Sequence, residues 1–158
     1  MIHLEISTIK GDGKTDGFLD QIDCQSFQWG AQNSADGNTP DGLTRASSQV
    51  QQISLSSMVG KQSVNMLKAA TISQHIPEAK LHFTKTAGGD ASIEWMTLTL
   101  TNVVVSSCSI SSSAEDMGFE SYSLAFQKFK AEYFLIDVGG NKTNGPDLTY
   151  DVMARKVL

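Results

Sequence analysis

The sequence predicts a mainly β fold, a barrel of antiparallel strands flanked by one α-helix. Three observations carry this prediction. Apolar residues recur at every second position through most of the 158-residue chain. Turn formers cluster at Lys10-Gly11-Asp12-Gly13-Lys14 and Ala87-Gly88-Gly89-Asp90. A single stretch, Ser63 to Thr71, carries helical spacing.

The opening Ile2, Leu4, Ile6 alternation reads as the first strand, and Ile22 to Gly30 as the second, with Phe27 and Trp29 on one face. Residues 32 to 48 are rich in Asn, Asp, Gly, Ser and Thr. A connection that long inside a compact domain is usually functional or disordered. Gln49 to Ser57 alternates Ile53 and Leu55 with Gln52, Ser54 and Ser56, as a half-buried strand does.

In the helix, Val64, Leu67 and Ala70 or Thr71 share a predicted inward face, and Pro77 marks its far side. Three helical turns make no core alone, so the helix must pack on a sheet or a barrel mouth. Ala79 to Lys85 and the long return strand through Met96, Leu98, Leu100 and Val104 follow. The opposite face of the return strand presents Thr97, Thr99 and Thr101 to water or a polar partner.

After serine-rich Ser106 to Ser113, the strand Glu120 to Ile136 switches phase. Tyr122, Leu124 and Phe126 hold one face, then Phe129, Ala131 and Tyr133 hold the other. The switch at Gln127-Lys128 implies a bulge or a bend, the devices that close barrels. Residues 139 to 147 read as a loop, and Leu148, Tyr150 and Val152 as a last strand. About seven strands and one helix fit one domain over residues 1–158, without internal repeat or interdomain linker.

Net charge is −5, from 12 basic and 17 acidic residues, which disfavours a nucleic-acid-binding stripe. Acids dominate residues 1 to 42. The next stretch carries Arg45, Lys61, Lys68, Lys80 and Lys85 against Glu78 alone. Such segments either form complementary patches between neighbouring molecules or interleave on one solvated surface. No apolar run is long enough for a membrane helix, and Met1 leads straight into strand alternation rather than a signal peptide.

The sequence offers no catalytic, cofactor or metal motif. Gly13-Lys14-Thr15 imitates the end of a phosphate loop, but Thr8 stands where its first glycine belongs. The Asp-Gly pairs at Asp16, Asp36 and Asp41 lack the ligand spacing of a calcium loop and suit turns. His3, His75 and His82 read as surface residues. Cys24 and Cys108 lack metal or redox spacing and read as small buried thiols, with one long-range disulfide as the alternative. Acid pairs such as Glu115-Asp116 invite a hydrolase reading, but adjacent acids in a serine-rich loop more often aid solvation.

Several blocks in order carry a family resemblance. Ile22-Asp23-Cys24-Gln25-Ser26-Phe27-Gln28-Trp29-Gly30 followed by a long loop, Lys61 to Leu67, His75 to Leu81, Ala87-Gly88-Gly89, Leu98 to Ser107 and Glu120 to Lys128 together resemble the haemolysin-coregulated proteins, Hcp. These are inner-tube subunits of bacterial type VI secretion. Val64 and Tyr150 depart from the family pattern, which often has proline and tryptophan there.

The resemblance implies a structural protein related to phage tail-tube proteins, with no cofactor. It implies hexameric rings stacking into a tube, a contractile sheath around it, a spike protein at its tip and effector proteins in its lumen. It further implies cytoplasmic synthesis and export without a signal peptide. On that reading, Asp36, Asp41 and Arg45 in the long loop are the expected ring-stacking contacts. Ser111, Ser112 and Ser113, with one polar strand face, are the expected lumen contacts with effectors. A monomeric β-sandwich that binds carbohydrate on Trp29 or Trp95 is the alternative from a different class.

Overall fold

The computed structural model describes residues 1–33, 48–86, 88 and 92–158. The expected stacking residues Asp36, Asp41 and Arg45 lie outside the described residues. Among the described residues there are seven principal strands and one helix: β1 (Ile2–Ile6), β2 (Ile22–Gln28), β5 (Ile53–Met58), α1 (Ser63–Thr71), β6 (Ile76–Thr86), β7 (Ser92–Ser111), β8 (Phe119–Ile136) and β9 (Lys142–Asp151). Three short strands join them: β3 (Ala31–Asn33), β4 (Ser48–Val50) and β10 (Lys156–Val157).

The order β9-β8-β5-β2-β1-β6-β7, with β7 also paired to β8, closes a six-stranded antiparallel barrel. Closure needs stagger. Following partners from Met96 through Phe83, Ile2, Cys24, Ser57 and Glu120 returns to β7 at Ile110 rather than Met96. Strand alternation turns Leu4, Ile6, Ile22, Ile53, Leu55, Leu81, Leu98, Leu100, Val103, Val105, Tyr122 and Leu124 into one core.

The long strands β7 and β8 run through both walls of the barrel. Over Phe119–Leu124, β8 pairs with β5; over Lys128–Ile136 it pairs with β9. The front wall is therefore β2-β5-β8-β7, and the back wall is β1-β6-β7-β8-β9.

The predicted phase switch at Gln127-Lys128 is real, because burial passes from Tyr122 and Leu124 to Phe129. It is a bend at the change of partner, not a bulge: the register with β7 is the same at Val103↔Phe126 and Thr101↔Lys128. Opposite the bend, Asn102 takes φ 53°. The bulges fall elsewhere. Gln25 is the extra residue in β2, Ser106 and Trp95 in β7, and Gly145-Pro146 stand opposite Tyr133.

The helix occupies the predicted residues but turns a different face inward: Ser63, Met66 and Ala69 are buried, while Val64 is 76% and Leu67 43% exposed. The two stripes differ by one residue, and only the packing against β7 selects between them. Pairing also extends strand into the serine-rich stretch and into the predicted loop at 139 to 147. β7 runs on through Ser106 to Ser111, and β9 begins at Lys142. Pro146 is tolerated because β10 covers the outer side of β9 only at Tyr150 and Asp151.

Candidate functional site

The front wall presents hydroxyls to solvent in register. One row runs Ser26, Ser56, Ser121, Ser109 across four strands, and the next runs Gln28, Ser54, Ser123, Ser107. On β5 and β8 the serines alternate with buried neighbours, as in Ile53-Ser54-Leu55-Ser56 and Ser121-Tyr122-Ser123-Leu124. Ser26 Oγ and Ser56 Oγ lie 2.6 Å apart, and Ser106 donates to Gln52 Oε1 at 2.6 Å. No charged side chain stands in either row.

The two lateral edges of this wall are open over part of their length. β2 pairs with β1 only through Ile22–Cys24, so among the described residues no strand covers that side of Ser26 to Gln28. β6 follows β7 only as far as Val103, so the same holds for that side of Val104 to Ser111. Unpaired backbone groups on an edge strand are a ready template for another strand.

The back wall is the chemical opposite. Its outer rows are Glu5, Lys80, Thr99, Lys130, Thr149 and His3, His82, Thr97, Glu132, Asp147. The threonine face of β7 thus meets polar partners, as its alternation predicts. His82 bridges two carboxylates, Nδ1 to Glu94 Oε2 at 2.5 Å and Nε2 to Glu5 Oε2 at 3.0 Å, and Lys142 Nζ meets Glu94 Oε1 at 3.0 Å. Burial alone would raise the Glu94 carboxyl; hydrogen bonds from His82 and Lys142 outweigh it and hold the carboxyl below its ordinary range. Acids and bases interleave on this wall, as in the Lys80–Glu78 and Lys130–Glu132 pairs, rather than segregating by chain segment.

Of the three histidines predicted at the surface, His75 is exposed, His82 is half-buried and His3 is buried. His3 does sit on the outer face of β1, but Phe18 from the β1–β2 loop stacks on it with centroids 4.6 Å apart, leaving it fully buried. Its Nδ1 meets Asp23 Oδ1 at 2.7 Å. The same loop closes the phosphate-loop imitation: Gly13 donates its N–H to the Gln21 carbonyl at 2.9 Å, and a Cβ there would approach that oxygen to 2.6 Å.

A polar knot closes the barrel near the start of α1. Buried Glu120 Oε1 accepts from the Tyr122 hydroxyl, from Gln62 Nε2 at 2.6 Å and from Ser57 Oγ at 3.1 Å. Cys24 and Cys108 are both free thiols. Burial, with Asp23 and Glu120 nearby, pushes the Cys24 thiol up to about 12, and burial beside Glu120 raises Cys108. Neither is a thiolate nucleophile at neutral pH.

The predicted carbohydrate platforms are occupied by the protein itself. Trp29 packs edge-on against Phe129 at 4.7 Å and donates Nε1–H to the Gln51 carbonyl at 2.9 Å, while Trp95 lies against Phe83 and Tyr133. Of the predicted lumen serines, Ser111 continues the phase of Ser107 and Ser109 on the front wall. Ser112 and Ser113 use their hydroxyls within their own turn, on Asp116. The serine rows were missed as a site, although their signal, serine at every second position in three strands, stands in the sequence.

Comparison with known proteins agrees with this architecture. Residues 3–133 match the family model described as type VI secretion system effector, Hcp. The chain is 31% identical over 144 residues to Protein hcp1 of Pseudomonas aeruginosa, covering 90% of this chain and 88% of that protein. In fold it is similar to a solved type six secretion system protein, with TM-score 0.90, 20% identity and coverage of 99% and 98% of the two chains. It is also similar to Hcp2 from Salmonella typhimurium, with TM-score 0.70, 26% identity and coverage of 99% and 98%. A six-stranded barrel with one helix, a family match over most of its length and a relative aligned almost end to end place this chain in the Hcp family of type VI secretion proteins.

Proposed function

We propose that the chain is a ring-forming subunit of the type VI secretion inner tube, and that its front wall lines the lumen. The observation that carries this reading is the four-stranded hydroxyl wall with an open edge on each side. Successive strands in β2-β5-β8-β7 alternate in direction, so β2 and β7 run opposite ways. In a head-to-tail ring, β7 of one copy therefore meets β2 of the next antiparallel, the better hydrogen-bonding arrangement. Repeated around a hexamer, the junction yields one continuous sheet with its serine rows facing inward.

The role is structural rather than catalytic. Single hydroxyl contacts contribute only about 0.5–1.5 kcal/mol each, which suits effector proteins that must be held and then released. Ser111, at the end of the front wall, belongs to this lining; Ser112 and Ser113 support the adjoining turn. Asp36, Asp41 and Arg45 keep their proposed part in ring stacking. The charged back wall faces outward, toward the sheath, and a spike protein caps the tube. The tube assembles in the cytoplasm and leaves the cell when the sheath contracts. Among the described residues, no helix is long and apolar enough to cross a membrane.

Light scattering combined with amide hydrogen exchange tests the reading. Particles of ring mass should show slowed exchange at Ser26–Gln28 and Val104–Ser111 relative to subunits dissociated in mild denaturant. Rings whose exchange at both segments matches the dissociated subunit would refute edge-to-edge closure.

A further inference from the structure

The β1–β2 loop is strapped across the outer face of the back wall by one side chain. Phe18 lies flat on His3, with centroids 4.6 Å apart and planes 7° apart, and tilts against His82 at 5.3 Å. His3 has no exposed surface and Phe18 is half-buried, so on this face the phenyl ring separates the imidazole from water.

The loop is firm at its base and light at its tip. Gly11 donates its N–H to the Asp20 carbonyl at 2.8 Å and Gly13 donates to the Gln21 carbonyl at 2.9 Å, and neither glycine has room for a Cβ. At the tip Gly17 takes φ 83° with open space where a Cβ would stand, Asp20 takes φ 59°, and Leu19 is 66% exposed. Phe18 thus sits between two left-handed residues, and its stack on His3 is the apolar contact that holds the tip down.

His3 is poorly placed to take a second proton. Its Nδ1 meets Asp23 Oδ1 of β2 at 2.7 Å, while its buried Nε2 has no hydrogen-bond partner among the described residues. The neighbouring ring on β6, His82, has a carboxylate at each nitrogen, Glu5 of β1 and Glu94 of β7, and Lys142 of β9 shares Glu94. Within the loop Asp12 and Asp20 turn to Lys61, and Lys10, Lys14 and Asp16 are exposed, so the strap brings no charge to His3. In the neutral ring the proton belongs on Nδ1, facing Asp23, and Nε2 is a bare acceptor. Protonation converts Nε2 into a charged donor beneath a phenyl ring, and an unpaired buried charge is the costlier of the two. Water reaches it only when Phe18 lifts.

We propose that Phe18 is an acid-released strap: protonation of His3 lifts the loop tip and uncovers the His3–His82 pair on the outer wall. Histidine is the side chain that ordinarily changes charge between about pH 5 and 8. Opening replaces an apolar ring by two imidazoles on the face that the tube reading turns toward the sheath. The strap itself belongs to the single subunit and stands or falls apart from that reading.

Amide hydrogen exchange tests the strap, read as protection factors so that the pH dependence of the chemical step is removed. Between about pH 7.5 and 5.5, protection at Phe18 and Asp20, whose N–H groups bond the Thr15 and Gly13 carbonyls, should fall about tenfold, while the β5–β8 ladder keeps its own. His82→Gln should keep the fall, and His3→Gln, which cannot gain a proton, should lose it. Unchanged protection overturns the proposal, as does a rise, the outcome if attraction between an imidazolium and the phenyl face prevails. A fall that vanishes in His82→Gln assigns the response to His82 and overturns it too. Whether or not His3→Gln folds, NMR titration of the native chain gives a second reading: the Phe18 ring signals should move with those of His3, and Phe18 signals that stay fixed through the His3 titration overturn the strap.

Discussion

Asn102 donates its side-chain N–H to Gln127 Oε1 at 2.6 Å across the point where β8 leaves β5 and takes up β9. Asn102 also holds φ 53°, a left-handed conformation that asparagine tolerates better than most residues. The backbone of one strand and the side chain of the other thus mark the same bend, which separates the serine-lined wall from the charged one.

Replacing Asn102 with valine should destabilise the subunit by about 1–2 kcal/mol, because a β-branched residue resists positive φ. Asn102→Gly should lie much closer to the native protein, losing the side-chain bond while relieving the backbone. Urea unfolding of the two variants provides the comparison; equal losses would show that the bond, not the backbone, holds the bend.

Tyr122→Phe removes the hydroxyl shared between Ser57 and Glu120 inside the barrel. A buried carboxylate that loses one of its donors should lower unfolding free energy by about 1–3 kcal/mol. The barrel should stay closed, since the ring of the tyrosine is kept, and circular dichroism should show an unchanged strand content.

The Glu94 carboxyl is held below its ordinary value of 4.5 in the folded chain. A lowered folded value stabilises the protein fully above the unfolded value, and that stabilisation is lost as pH falls through the folded one. Glu94→Gln should therefore flatten the acid side of a plot of thermal midpoint against pH, below about pH 5, and change its shape little at higher pH. An acid limb identical to the native one would remove Glu94 from the account.

Ser56→Lys and Ser121→Lys place charge on the solvent side of the front wall without touching the core. Each alone should change subunit stability by no more than about 0.5 kcal/mol. Combined, they set twelve cations around one hexameric lumen; rings should then loosen in low salt and recover as salt screens the repulsion. Salt-independent ring mass in light scattering would place this wall away from the lumen.

Much of this was legible in the sequence because a half-buried strand writes its burial into every second residue. The seven principal strands and the span of α1 follow from that period and from the turn clusters. What the period cannot specify is which wall a strand joins. Residues 142 to 147 looked like a loop because glycine and proline form poor strands in isolation, and pairing with β8 overrode that preference. The helix face was misjudged because Val64 and Leu67 are as apolar as the residues that pack. His3 was read as exposed because no local pattern reveals that a residue fifteen positions later, Phe18, will lie flat across it. The serine rows were written in plain alternation, but a row becomes a surface only when the register aligns four strands.

The extra residues at Gln25 and Ser106 lie in β2 and β7, the two outer strands of the front wall and the ones proposed to join neighbouring subunits. A wall of four alternating strands joins its neighbour with matched polarity whatever the number of copies, so hydrogen bonding alone sets no ring size. Curvature must choose it, and bulges are where a sheet acquires extra twist. Deleting Gln25 or Ser106 should change how sharply successive walls turn, and with it the number of subunits that closes a circle and the bore of the channel they enclose.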